Sequence, residues 1–137
     1  MTTIADVRAD LIAVLGNIDG WTTQNPYVGD MAPHPYSFKV ARPAFDPRMV
    51  FSQTKATHEF VVTAYAPRVT PEASEAALDA LCELTGAGSI IATVQNDTLW
   101  TADIHYAQVT RCGEVQAITW IDGVDYLASQ FTIEVVW

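Results

Sequence analysis

The segment YLASQFTIEVVW places Leu127, Phe131, Ile133, Val135 and Trp137 at odd positions. Successive side chains of a β-strand point to opposite faces, so these residues form one apolar row along a long strand. Such a strand needs neighbours at its edges and cover over its row, because a lone strand or hairpin is marginal in water. Two further strand-like segments precede it, residues 104–110 and 115–121. Cys112-Gly113 and Asp122-Gly123 separate the three segments with connections short enough for hairpins. The expectation is an antiparallel meander whose last strand, residues 126–136, lays its odd row against helices, with Trp137 in the core.

The upstream sequence supplies those helices and more strands. Thr3 with Asp6 three residues later has the pattern of a capping box, and Ile4, Val7, Leu11 and Leu15 recur at helical spacing. This predicts a helix from about residue 3 to 14, closed by Gly16, Asn17 and Asp19-Gly20. Residues 21–35 carry prolines without a sustained period and read as a loop. Tyr36, Phe38 and Val40 alternate with Ser37 and Lys39 as a half-buried strand, and His58, Phe60, Val62 and Ala64 alternate in a second one. Between them, residues 41–56 are a long excursion. Thr70-Pro71-Glu72 opens a helix with an N-cap, a proline at its first position and an acid in its first turn. Ala77, Leu78, Leu81 and Leu84 form its stripe, and Gly86 and Gly88 end it. GSIIATVQNDTL then reads as a short buried strand running into an Asn-Asp turn. Helices and strands do not alternate regularly, which excludes a doubly wound parallel sheet. The fold class expected is α+β, one domain over residues 1–137, with two helices on one face of a mainly antiparallel sheet. Ile118 and Trp120 fall on one face of their strand while Val115, Ala117 and Ile121 fall on the other. Two helices cover one face only, so the second calls for self-association.

Composition narrows the function classes. Sixteen acidic against seven basic side chains give a formal charge of −9, which repels phosphate backbones and anionic lipid. No apolar run is long enough to span a bilayer, and MTTIADVRADL lacks a cationic region followed by an apolar block, so the expectation is a protein kept in the cytoplasm where it is made. Cys82 lies in a helical pattern and Cys112 beside a turn glycine. They could bridge, but a reducing compartment favours two free thiols.

Chemistry-bearing constellations are sparse. The three histidines, His34, His58 and His105, show no metal-ligand spacing, and no cofactor is implied. Asp103 and His105 share a strand face with each other but not with Cys112, so a nucleophilic triad would need a bulge to assemble. Gly86-x-Gly88-Ser89 follows a helix, whereas phosphate-cradling loops precede one. Residues 41–56 bring Arg42, Phe45, Arg48, Met49 and Phe51 into one segment. Aromatics, methionine and arginine have the composition of an interface core, and a surface loop is the other reading. Asp97, Asp103 and Glu114 belong to an acidic set in the last third of the chain, either a solvated face or a surface past which DNA slides without sticking.

The succession of the N-terminal amphipathic helix, PYSFKV after a Pro-rich loop, the excursion, EFVVTAYA, TPEASEAALDAL, GSIIATVQNDTL and the closing Y-L-x-S-x-F-x-I-E-V strand resembles the tail terminator proteins of long-tailed phages, also called minor tail protein U-like or tail completion proteins. The resemblance spans essentially the whole chain and rests on order and pattern. Where related proteins carry a glycine shortly after the position of Leu99, this chain has Trp100. The resemblance implies a structural, non-enzymatic virion protein at the head-proximal end of the tail. Its subunits form a six-fold ring that ends tube polymerisation and receives the head connector or stopper. The implied partners are further copies of the chain, the tail tube protein, the connector, and genome DNA passing through without sequence-specific binding. Two other readings stay open from the residues alone. One is a ligand-binding fold whose pocket is lined by Trp21, Tyr27, Trp100 and Trp120. The other is an adaptor domain that pairs through residues 41–56.

Overall fold

The computed structural model describes residues 3–24, 36–41, 57–69, 71–119, 123 and 125–137. Helix α1, Ile4–Leu15, begins with a complete capping box: Asp6 N–H donates to Thr3 Oγ1 (3.1 Å), and Thr3 N–H donates to the Asp6 carboxylate (3.0 Å). Its buried face includes Val7, Leu11, Val14 and Leu15. Strand β1, Thr22–Gln24, occupies part of the stretch expected to be loop. It escaped notice because three residues are too few for an alternation. It forms by pairing parallel to β2, Ser37–Val40. Tyr36, just before β2, has φ +54°, a left-handed conformation unusual for a residue with a side chain. Its ring meets Trp21 edge-on at 5.5 Å.

Strand β3, Thr57–Pro67, runs antiparallel to β2 on one side and to β6, Asp125–Val136, along its whole length on the other. Helix α2, Pro71–Leu81, lies over this central pair and buries Leu78 and Leu81. Leu84, expected on its stripe, is 76% exposed, because the helix stops three residues earlier.

GSIIATVQNDTL is not a strand. It forms helix α3, Ile90–Val94, followed by a 3-10 turn, Asp97–Leu99. Ile90 and Val94 fall on one side of either a strand or a helix, so apolar spacing over five residues does not separate the two. Ser89 decides it locally by accepting from Ala92 N–H (3.1 Å) as an N-cap. Packing decides it globally, since α3 fills the space between α1 and β4, Tyr106–Cys112. Among the described residues, three helices and a six-stranded mixed sheet make an α+β fold, with one helix more than expected.

The meander is also corrected. β4 and β5, Gln116–Thr119, do not pair with each other; both run antiparallel along the same edge of β6. They are two parts of one interrupted strand, and Cys112-Gly113 is the interruption instead of a hairpin turn. The sheet order is β1-β2-β3-β6-β4, with β5 beside β6. Among the described residues, all helices cover one face. Phe38, Val40, Phe60, Val62, Ala64, Phe131, Ile133 and Val135 meet α1, α2 and α3 there in one core. The odd row of β6 points inward as expected. Each of its large side chains contributes about 1.5–3 kcal/mol by leaving water.

Candidate interaction surface

The opposite face of the sheet has no helix over it among the described residues. Register places Lys39, Thr63, Tyr65, Arg111, Gln116, Ile118, Tyr126, Ala128, Gln130, Thr132 and Glu134 on that side. At one end Tyr65 and Tyr126 meet edge-on at 6.2 Å, with Ala128 and Ile118 packed against them. Lys39 Nζ sits 5.7 Å from the centroid of the Tyr65 ring, and burial pushes the Tyr65 hydroxyl pKa up. At the other end the Tyr106 hydroxyl donates to Glu134 Oε1 (2.7 Å), an acceptor that also holds the Tyr106 proton and raises its pKa. Between these ends a concavity of about 400 Å³ opens beside Thr63, Arg111, Glu114 and Gln130. The face is therefore mixed: an aromatic-aliphatic cluster set in a largely polar floor. That is less apolar than the expectation of a two-sided hydrophobic sheet, and the reason is the run of Thr63, Gln130, Thr132 and Glu134 across its centre.

The concavity exists because the β4–β5 strand is irregular. A bulge inserts Thr110 between Val109, opposite Ile133, and Arg111, opposite Thr132. A second extra residue lies between Cys112, opposite Phe131, and Gln116, opposite Ala128. Each insertion reverses which face the following side chains use, so the two cancel. The interruption is pinned to β6 by Gly113 N–H donating to Gln130 O (2.7 Å) and Ser129 Oγ donating to Gly113 O (2.9 Å).

The residues singled out in the sequence are distributed unevenly. Arg42, Phe45, Arg48, Met49 and Phe51 lie outside the described residues, as do Tyr27, His34 and Trp120. Glu114 is exposed at the rim of the concavity. Asp97 is on the 3-10 turn and Asp103 precedes β4, both exposed, whereas Glu114 follows the far end of β4, about 20 Å along the strand from Asp103. The three acids do not form one cluster. Among the described residues, no group of three or more His, Cys, Asp or Glu is placed to hold a metal ion, and no helix is long and apolar enough to cross a membrane. The bulge that a triad required is present and turns Cys112 to the face of Ala107 and Val109. His105, however, lies at the opposite end of β4, where its N–H donates to Val136 O (2.7 Å), so the imidazole and the thiol are not brought together.

Two of the four aromatics proposed to line a pocket are in the core. Trp21 stacks on Phe38 at 4.8 Å, and Trp100 is buried with Nε1–H donating to Val94 O (2.9 Å). Trp100 thus ties the chain after the 3-10 turn back to α3. Sequence reasoning missed Asp10, a buried carboxylate on α1 that accepts from Thr101 N–H (2.9 Å), Thr101 Oγ1–H (2.6 Å) and Ala102 N–H (3.0 Å). A signal existed: Asp10 falls three residues after Val7 and four before Val14, on the apolar stripe.

Trp137 is half-buried, packed at the edge of the core and stacked on the His58 ring at 4.3 Å. Burial lowers the His58 pKa from its ordinary 6.5. The folded chain then keeps His58 neutral at pH values where the unfolded chain takes up a proton. This contribution to stability is full above pH 6.5 and is lost as pH falls from there toward the lowered folded value. His58→Phe, which keeps a flat ring under Trp137, should show a smaller loss of denaturation midpoint between neutral and mildly acidic pH than the parent. Equal losses in the two proteins, measured by urea titration across that range, would contradict the assignment.

No protein-family model matches this chain, and no curated protein matches it.

Proposed function

We propose that this chain is a tail terminator subunit of a long-tailed phage, a structural protein that assembles in a closed ring at the head-proximal end of the tail tube, stops its polymerisation and receives the connector. The structural observation in its favour is the one-sided cover of the sheet. Among the described residues all helices lie on one face, leaving the other with an exposed concavity and, beside the buried Tyr65, Tyr126 and Ala128, the part-exposed Ile118 available to a neighbour. A heterologous contact that uses such a face closes into a ring when its rotation allows. The formal charge of −9 suits a channel component that must let DNA pass. In this reading Asp97, Asp103 and Glu114 contribute negative charge, and Arg42, Phe45, Arg48, Met49 and Phe51 contribute contacts to the tube or to the next subunit.

The test is assembly. Purified protein, alone and mixed with its tail tube, should give rings capping tube ends in negative-stain images and a closed oligomer, six-fold by the resemblance, in native mass spectrometry. Ile118→Asp should leave the monomer folded and reduce ring formation at least tenfold, because a carboxylate introduced into a contact core is desolvated without a partner. A monomer that never caps tubes would overturn the proposal. A small-molecule reading remains tied to one feature, the concavity beside Tyr65 and Arg111, whose volume is in the range of ligand sites. It predicts a monomer or dimer whose melting temperature rises with a small ligand.

A further inference from the structure

The chain is strongly acidic, and the cations among its described residues are committed but for one. Of seven basic side chains, Arg42, Arg48 and Lys55 lie outside the described residues. Arg8 is buried and donates to Val40 O (3.0 Å), Lys39 sits over the Tyr65 ring, and Arg68 faces Asp125 at 3.8 Å. Arg111 is exposed at the concavity of the open sheet face and, among the described residues, has no ion pair or hydrogen bond through its side chain. Gln116 and Gln130 line the same concavity, exposed and with their amides likewise uncommitted. Glu114 lies at the rim and makes no ion pair with Arg111. A guanidinium with two primary amides is a set of donors suited to carboxylates.

A matching set of carboxylates lies on the opposite side of the same subunit. Glu72, Glu75 and Asp79 of α2 recur at i, i+3 and i+7, so they form one stripe, turned away from Leu78 and Leu81, which the helix buries on the sheet. All three are exposed, and the small Ala76 shares their side of the helix. Helix α2 holds no lysine or arginine, and the three carboxylates make no ion pair among the described residues. Glu75 and Asp79, one turn apart, repel each other without compensation. The dimensions agree: the 11 residues of α2 make a rod about 16 Å long, and the concavity follows β6 from Ala128 to Thr132, about 14 Å. We propose that the acidic stripe of α2 in one copy docks in the concavity of the next copy, with its carboxylates on Arg111 and on the Gln116 and Gln130 amides. The contact joins two different patches and so repeats from copy to copy, as ring closure requires. It rests on the ring reading above and names the two surfaces that meet in the ring. A second copy suits the concavity better than a free anion, because the chain carries its own surplus of carboxylates on a rigid element of matching length.

The experiment reverses charge on both sides of the contact. Arg111→Glu in one chain, and Glu75→Lys with Asp79→Lys in another, change exposed side chains and should keep the circular dichroism of the parent. Sedimentation velocity then reads the concentration at which half the chains are assembled. Each of these two chains alone should need about tenfold more protein than the parent, and a chain carrying all three substitutions should return close to the parent, because opposite charges again face each other. Mixing the two weakened chains should also restore assembly, with equal numbers of each in every oligomer by native mass spectrometry. Assembly of Arg111→Glu as strong as that of the parent would overturn the docking and leave the ring standing on another surface. Weakening on both sides without recovery in the combined chain would give the concavity to another occupant, a small anion or the tail tube, and overturn it as well. A parent that stays monomeric with and without the tail tube would overturn the docking and the ring together.

Discussion

Asp10→Ala is expected to destabilise the fold by about 3 kcal/mol, measured as a lower urea midpoint at unchanged slope. The Asp10 side chain is only 7% exposed and accepts three hydrogen bonds, two of them from the backbone N–H groups of Thr101 and Ala102. Those amides lie where the chain leaves the 3-10 turn for β4, and no regular element satisfies them. Removing the carboxylate strands donors inside the protein, and a buried donor without a partner costs about 1–3 kcal/mol. The link also spans most of the sequence, holding α1 to a segment more than ninety positions later. Its loss should therefore loosen residues 100–105 as well as lower stability, visible as faster amide exchange there. Asp10→Asn keeps an oxygen acceptor and should recover part of the loss, while Thr101→Val should remove only the hydroxyl bond and cost about 1 kcal/mol. A midpoint for Asp10→Ala within error of the parent would show that water replaces the carboxylate without penalty.

Gly113→Ala should cost about 2–3 kcal/mol, although it adds one methyl group at an intermediate surface position. A Cβ at Gly113 would stand 2.7 Å from Gln130 O and 3.5 Å from Gln130 N, closer to the carbonyl than side chains come. The obstacle is backbone of the central strand β6, which cannot turn aside like a flexible side chain. Its φ is outside the left-handed region, so the penalty is one of space and not of torsion. Relief requires β5 to move off β6, which lengthens the bond from Gly113 N–H to Gln130 O and withdraws Gly113 O from Ser129 Oγ. Gly88→Ala is the matched control: no atom lies within 4 Å of its added Cβ, and the change should be close to neutral. Equal melting temperatures for the two variants would mean that the interruption adapts freely.

The local sequence determined those features whose cause is local. Thr3 and Asp6 form the capping box of α1, Pro71 opens α2, and the odd row of β6 turns Phe131, Ile133 and Val135 into the core, because caps and strand parity act over a few residues. Tertiary structure decided the rest. GSIIATVQNDTL carries residues suited to a strand, yet it folds as α3 and a 3-10 turn that pack between α1 and β4. Thr22–Gln24 becomes a strand only through its partner β2. The turn-like Cys112-Gly113 does not reverse the chain, since β6 is long enough to pair with β4 and β5 end to end. Of the interaction surface, the alternation of single strands was legible. The two cancelling insertions that shape its concavity and turn Cys112 to the helix-covered face were not. An extra residue in a strand has no signature of its own, because it is defined only against the partner strand, and pairing between distant segments is settled by the fold as a whole.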